Sequence, residues 1–319
     1  MEKDNQVVAI TGASGYLGSR LLLHLEDQDL EKMVGLDIKA PPLPIHNIVR
    51  YRVNVRDSIE NILRNHRVTT LIHLASSTYE NGNRRESRDA RDSNLELLKN
   101  VLQSSYAAQI NQIIYISSHT VYGARSDNPV PLTEKAPLLV SEDFEYGYGE
   151  FLADQLLDTF AEDHPQIKVA ILRCCPVLGP NAADRLFNLF MQFHPLAISG
   201  SNPVFQFLHE DDFARLLTIF IDKELFGVFN VAGSGVVFLN EIREMVSYRI
   251  MKLPSYIVYP ILTLSRLLGI QRVQTAMDLD FLRYPTILST GKLEHITGYR
   301  PNYSSLETLR SFANSVLYL

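Results

Sequence analysis

Residues 11–18 read TGASGYLG and set Gly12, Gly15 and Gly18 between a β-branched run, VVAIT (7–11), and YLGSRLLLHLED (16–27), whose apolar residues recur at helical spacing. Glycines at a strand-to-helix junction suit phosphate binding. Gly12 permits the tight turn, Gly15 lets backbone N–H groups approach a pyrophosphate, and Gly18 lets the helix pack close to the strand. The helix N-terminus adds partial positive charge. Asp37 ends the next apolar run, MVGLD (33–37). It follows the glycines by about 20 residues, where a carboxylate accepts hydrogen bonds from adenosine ribose hydroxyls. The same charge repels a 2′-phosphate. NAD is therefore favoured, and Lys39 nearby keeps NADP as the less favoured alternative.

The segments that must position these residues alternate in period. IVRYRVNV (48–55), TLIHLA (70–75), QIIYISS (112–118) and KVAILR (168–173) read as strands. SIENILRNH (58–66), SNLELLKNVLQSSYAA (93–108) and a stretch from 146 to 163 read as helices between them. Strand and helix in alternation predict an α/β fold, a parallel sheet with helices on both faces. The rhythm weakens after about residue 175, where helices are expected near 209–221, near 238–251 and at the end. The polar stretch STYENGNRRESRDARDS (77–93) reads as a loop after the fourth strand.

Composition narrows the function classes. The chain has 319 residues, 46% of them hydrophobic, enough for a sizeable core. Its net charge of −6 argues against a nucleic-acid surface. Cys174 and Cys175 are adjacent, which suits neither a normal disulfide nor a metal site and fits a reducing, cytoplasmic setting. The N-terminal MEKDNQ lacks an apolar signal core. No transmembrane segment is expected. The most lipid-like stretch, SYIVYPILTLSRLLGI (255–270), is broken by Pro260 and Arg266 and reads as a packed helical cap, with a greasy wall around a ligand or a membrane surface as the alternative.

LIHLAS (71–76), YISSHTVYG (115–123) and YGYGE (146–150), together with the glycine turn, closely resemble the extended short-chain dehydrogenase/reductase family. That family includes sugar-nucleotide epimerases, dehydratases and 3β-hydroxysteroid dehydrogenases. The resemblance runs on through NPVPLTEKAPL (128–138), LRCCPVLGPN (172–181), QFLHEDDFARLL (206–217), FNVAGSG (229–235) and GYRPNYSSLETLRSF (298–312). It implies a Rossmann-type doubly wound parallel sheet over residues 1–175, with segments at about 204–232 returning to it. A smaller mixed substrate cap is implied mainly from 176–319. It also implies NAD, a small-molecule substrate and a homodimer formed through the helices at 93–108 and 146–163.

Roles follow at the matching positions. Gly12, Ser14, Gly15, Tyr16, Leu17 and Gly18 would surround the pyrophosphate, and Asp37 and Ile38 the adenosine ribose. Asn54, where the family usually has aspartate, and Val55 would lie beside adenine. Leu74, Ala75, Ser76 and Ser117 would line the cofactor, and Asn94 matches a helix asparagine close to the active site. Ser118 matches the hydroxyl that hydrogen-bonds the reacting oxygen, and Tyr146 the catalytic tyrosine. The family's lysine falls four residues later, at Glu150.

Residues four apart share a helix face. In an active relative the lysine binds the nicotinamide ribose and its charge lowers the tyrosine pKa from about 10 towards the working pH. Glutamate reverses that sign. Two unit charges 4 Å apart interact by about 4 kcal/mol at an effective dielectric of 20, against about 1.4 kcal/mol per pKa unit. Tyr146 is thus expected to be hard to ionise, a neutral donor rather than a base, with His119 or a water chain helping it. The leading expectation is an NAD-dependent oxidoreductase with an altered proton relay. The alternatives are an inactive NAD-binding scaffold or sensor, and a sugar-nucleotide epimerase or dehydratase.

The substrate side also departs from the sugar-nucleotide pattern. Pro176 stands where relatives carry an asparagine and Phe205 where they carry an arginine, so a diphosphate loses a donor and a charge. A less charged, apolar substrate is expected. His73 reads as a packed or hydrogen-bonded histidine. His209, Glu210, Asp211 and Asp212 read as an acidic helix start rather than a metal site, and Arg84, Arg85, Arg88 and Arg91 as part of a solvated loop.

Overall fold

The computed structural model describes residues 6–28, 32–40, 45–77, 84–182, 196–201, 203–246, 251–260, 280–281 and 283–317. Its centre is a seven-stranded parallel sheet built from β1 (Val7–Thr11), β2 (Lys32–Asp37), β3 (Ile48–Arg52), β4 (Thr70–His73), β5 (Gln112–Ser118), β6 (Lys168–Cys174) and β11 (Gly227–Val231). The spatial order is β3-β2-β1-β4-β5-β6-β11, so the winding reverses between β1 and β4. In sheets of this kind ligands bind outside the carboxyl ends at that reversal.

Both faces of the sheet are covered, which is why its central strands are apolar throughout. Alternate residues of β1 serve opposite sides. Val8 and Ile10 pack with Leu21, Leu22 and Leu25 of α1 (Tyr16–Glu26) and with Phe213, Leu217 and Phe220 of α5 (Glu210–Asp222). Val7 and Ala9 pack with Leu63 of α2 (Glu60–Asn65), Leu97 and Val101 of α3 (Arg84–Ala107) and Leu157 of α4 (Glu145–Asp163). Each buried leucine contributes about 1.5–3 kcal/mol, so α1, carrying three, holds the glycine turn firmly against the sheet.

β7 (Val177–Leu178) pairs with β10 (Leu208–His209), and β8 (Leu196–Ile198) with β13 (Met251–Leu253), both parallel. β9 (Val204–Phe205) pairs antiparallel with β12 (Val237–Phe238). α6 (Leu239–Val246), α7 (Gly291–Thr297) and α8 (Ser305–Leu317) complete the C-terminal third. Ile242, Leu309 and Phe312 form a separate small core with Phe207 and Val237.

Two expectations are corrected. The stretch 77–93 is not a loop throughout, because α3 begins at Arg84. Its arginines sit on a helix, where Arg91 reaches Glu145 of α4 at 2.7 Å and Arg88 approaches the same carboxylate at 3.6 Å. That pairing gives a highly charged segment a reason to be helical. The helix expected over 238–251 ends at Val246, and Met251 opens a strand. Of the cap segment 255–270, residues 255–260 are helical and 261–270 lie outside the described residues. Among the described residues no helix is long and apolar enough to cross a membrane.

Candidate functional site

The glycine turn leaves no room for side chains. Gly12 has φ +70°, and a Cβ on it would stand 2.7 Å from the backbone of Leu74 and Ala75, just beyond β4. A Cβ on Gly18 would lie 2.2 Å from the Gly12 carbonyl oxygen. The turn therefore brings the ends of β1 and β4 together at the sheet reversal. Gly15 is exposed and caps α1 without any side-chain hydrogen bond, and no acidic residue lies in the first turn. Those free N–H groups fit an anionic group such as a pyrophosphate.

Asp37 is bound into this turn. One carboxylate oxygen accepts from the Ser14 N–H and the other from the Lys39 N–H, each at 2.9 Å, while the Ser14 hydroxyl donates to the Lys39 carbonyl at 2.8 Å. Two backbone bonds fix the carboxylate and leave further lone pairs for sugar hydroxyls. Ile38 beside it is 55% exposed, an apolar surface suited to a flat ring. Asn54 accepts from the Arg56 N–H at 3.1 Å, while Val55 is a core residue under α2. Tyr16 and Leu17 turn inward. The Tyr16 hydroxyl donates to Glu210 at 2.5 Å, and Leu17 packs on the core.

Beyond β4, Leu74 and Ala75 donate their N–H groups to the Thr11 hydroxyl at 3.2 and 3.3 Å. The same hydroxyl meets His73 Nδ1 at 2.7 Å, and burial pulls His73 down to about 4, so it is a neutral structural histidine. Ser76 is exposed. Asn94 accepts from the Ser77 N–H at 2.5 Å and donates to the Ser77 carbonyl at 3.2 Å. It shapes the chain leaving β4.

Ser118 ends β5, and its hydroxyl accepts from the Thr120 N–H at 3.2 Å and the Thr120 hydroxyl at 2.9 Å. These bonds use its acceptor side and leave its own O–H to donate. Tyr146 lies in the first turn of α4, is 38% exposed and rests edge-on against Phe144. Ser117 is buried, its hydroxyl on the same face of β5 as Tyr115, two residues earlier.

Glu150 is half-buried and accepts a 3.1 Å hydrogen bond from the Tyr115 hydroxyl. Its carboxyl is pushed up to about 8, first by desolvation and then by the Asp154 carboxylate, with the Tyr115 bond opposing. Asp154, one turn on, pairs with Arg173 of β6 at 2.8 Å, both side chains being buried. Arg173 also donates to the Tyr122 hydroxyl at 3.1 Å, and Tyr122 donates to Asn230 at 2.7 Å. The guanidinium is thus committed to Asp154, and Glu150 keeps its proton instead.

A carboxyl raised to about 8 holds its proton near neutral pH. His119 is neutral as well, because burial lowers it to about 4. Tyr115, Asp154, Arg173 and Tyr122 were missed by sequence reasoning. The four-residue step from Glu150 to Asp154 and the two-residue step from Tyr115 to Ser117 were the available signals.

The acidic run at α5 is structural. His209 caps the helix by accepting from the Asp211 N–H at 3.2 Å and stacks on Tyr303 with ring centres 3.8 Å apart. Asp212 accepts from the N–H groups of Asn302 and Tyr303, each at 2.9 Å. Among the described residues no group of side chains is arranged to hold a metal. Cys174 and Cys175 are buried free thiols, raised by burial well away from thiolate character.

A doubly wound parallel sheet with a glycine turn at its reversal, and a serine and tyrosine at the end of β5 and the start of α4, defines a nucleotide-binding α/β protein of the extended dehydrogenase type. The chain belongs to the NAD dependent epimerase/dehydratase family, which it matches over residues 8–232. It is 25% identical to an uncharacterised protein of Mycobacterium tuberculosis (strain H37Rv) over 96% of this chain and 83% of that one. It is 26% identical to the UDP-glucose 4-epimerase of Erwinia amylovora over 56% of each. The structure of the Thermotoga maritima UDP-glucose 4-epimerase with UDP-glucose superposes with a TM-score of 0.73 at 18% identity, covering 98% of this chain and 99% of that one. The dTDP-glucose 4,6-dehydratase DesIV of Streptomyces venezuelae, with NAD and TYD bound, gives 0.74 at 18% identity, covering 98% and 97%.

Proposed function

We propose that the protein binds NAD across the Gly12–Gly18 turn and exchanges hydride reversibly with a hydroxyl-bearing carbon of its substrate, as epimerases and dehydratases do, using a carboxyl group where relatives use lysine. The observation that carries this reading is the side-chain-free turn whose Gly12 would clash with Leu74 and Ala75 if it bore a Cβ. NAD is favoured over NADP because Asp37 stands, with both oxygens aligned by backbone N–H groups, where a ribose would come.

Bound NAD supplies the hydride acceptor and donor. The chain's own residues handle the proton and the oxygen. Ser118 donates its free O–H to the reacting oxygen and polarises it. Tyr146 passes the proton between that oxygen and the carboxyl one turn along α4. Glu150, carrying a proton near neutrality, acts as its store rather than as a fixed charge. The ordinary gain from such positioned acid–base groups is about 10²–10⁴-fold.

A sugar nucleotide is the substrate class that the comparisons favour. A less charged substrate is the second reading, supported by the substrate side of the site. Phe205 stacks near Phe207, with ring centres 6.5 Å apart, and Pro176 offers only its carbonyl, which accepts from the Leu208 N–H at 3.0 Å. Neither side chain can grip a diphosphate.

Calorimetric titration of nucleotide-stripped protein with NADH, and with NADPH for comparison, tests the cofactor reading. NADH binding with weaker NADPH binding supports it, and failure of both to bind removes it. Incubating the NAD-loaded protein with UDP-glucose and dTDP-glucose, and watching for the C4 epimer or a 4-keto product, then separates the substrate readings. Loss of any product formation in Ser118→Ala and Tyr146→Phe assigns it to this site. Binding without turnover on sugar nucleotides or carbonyl panels leaves an NAD-binding scaffold or sensor.

A further inference from the structure

We propose that Glu150 determines which redox form of the cofactor the site holds: with a proton on its carboxyl it suits the neutral reduced ring, and as a carboxylate it suits the cationic oxidised ring. This rests on the reading that a nicotinamide cofactor occupies the site.

The groups around Glu150 explain why its charge is open to such control. From its own helix it faces Tyr146 one turn before and Asp154 one turn after. From β5 the Tyr115 hydroxyl donates to it at 3.1 Å, and behind Tyr115 the neutral His73 of β4 stacks with ring centres 6.0 Å apart. From β6 the Cys174 thiol feels its charge, and Arg173 pairs with Asp154 at 2.8 Å and also acts on Asp158, one turn further along α4. His119, in the turn after β5, is neutral and hydrogen-bonds to the Cys174 backbone. Arg88 and Arg91 of α3 are spent at Glu145, at the start of α4.

No positive charge is left over before Glu150 ionises. Arg173 faces both Asp154 and Asp158, and Tyr115, Cys174, His119 and His73 are neutral near pH 7. Losing a proton would leave Glu150 as an uncompensated carboxylate in a desolvated setting, so the carboxyl holds its proton into the neutral range. An oxidised nicotinamide ring, uniquely among the expected occupants, brings one positive charge. It compensates the carboxylate and makes deprotonation favourable. The reduced ring brings none. A lysine at this position would do the reverse, repelling the oxidised ring and staying charged with either form.

Linkage then requires that NAD⁺ binding release a proton and NADH binding release none. The experiment is calorimetric titration of the full chain, stripped of nucleotide, with NAD⁺ and with NADH in buffers of different ionisation enthalpy, from about pH 6 to 9. The expected result is release of up to one proton per NAD⁺ bound near pH 7, with NAD⁺ affinity rising by up to about tenfold per pH unit below the carboxyl's titration. NADH shows no such rise, and Glu150→Gln abolishes both the release and the pH dependence.

Tyr115→Phe is a second variant, for use should Glu150→Gln fail to fold. Removing a bond that favours the carboxylate moves the proton release to higher pH. NAD⁺ binding without proton release, or an undiminished release in Glu150→Gln, overturns the inference while leaving the cofactor reading intact. An unmoved profile in Tyr115→Phe also overturns it. Absence of binding by both NAD⁺ and NADH overturns the cofactor reading and this inference with it.

Discussion

Glu150 and Asp154 stand one turn apart on α4, yet Asp154 meets the guanidinium of Arg173 at 2.8 Å while Glu150 meets the neutral hydroxyl of Tyr115 at 3.1 Å. Burial raises both carboxyl groups. At Asp154 the Arg173 guanidinium opposes the rise, whereas Glu150, with no such partner, is pushed up to about 8. Glu150 is thus a group that titrates close to neutrality.

The first consequence concerns stability. The Glu150 carboxyl titrates at about 8 in the folded chain against 4.5 ordinarily. Below the lower value both states hold the proton. As pH rises through the interval, the unfolded chain releases its proton and the folded chain keeps it, so stability falls, levelling off above the higher value. Glu150→Gln removes that loss. Urea midpoints of the two proteins at about pH 5, 7 and 9 should diverge in favour of the variant as pH rises. A gap that is the same at every pH would count against the raised carboxyl.

The glycine turn should tolerate nothing larger. Gly18→Ala sets a Cβ 2.2 Å from a backbone oxygen, and Gly12→Ala adds a positive φ to a backbone clash at 2.7 Å. Overpacking of this kind costs about 1–3 kcal/mol, and distortion of the N–H groups by that amount weakens a bound pyrophosphate by about tenfold or more. NADH titration of each variant measures the loss. Unchanged affinity with an unchanged melting temperature would contradict the packing described.

Breaking the buried pair should be severe. Arg173→Met leaves the Asp154 carboxylate buried without its cation, a cost of about 3–5 kcal/mol. The double variant Arg173→Met with Asp154→Asn should recover a large part of that, because no charge is then stranded. Denaturant unfolding of the single and double variants checks this. Equal losses in both would show that packing, not charge, dominates at Arg173.

Glu150→Lys tests the carboxyl relay. It places a cation one turn from Tyr146 and one turn from Asp154, so the position no longer stores the proton that Tyr146 passes. Turnover on a substrate of the proposed class should fall by about tenfold or more, within the range of acid–base effects. Unchanged or faster turnover with cofactor binding retained would show that the carboxyl takes no part in the relay.

Much of the frame was legible beforehand because its causes are local. The runs 7–11 and 112–118 coincide with β1 and β5, since β-branched and apolar runs bounded by turn residues have few other solutions. The start of α3 was not legible. RRESRDARDS has no apolar stripe, and its helical state is supported by Arg91 reaching Glu145, 54 residues away in the chain. The end of α6 was hidden for a similar reason, since Met251–Leu253 pairs with Leu196–Ile198 in a strand that periodicity alone does not announce.

The amino-acid sequence by itself determined the alternation of strand and helix, the glycine junction after β1 and the four-residue spacing of Tyr146 and Glu150, because each depends on residue types at short separations. Only the tertiary structure decided the state of the site. It set β5 and β6 beside α4, so that Tyr115 reaches Glu150 and Arg173 is taken by Asp154. A glutamate's charge depends on the desolvation and the partners around it, and those come together only when distant segments pack.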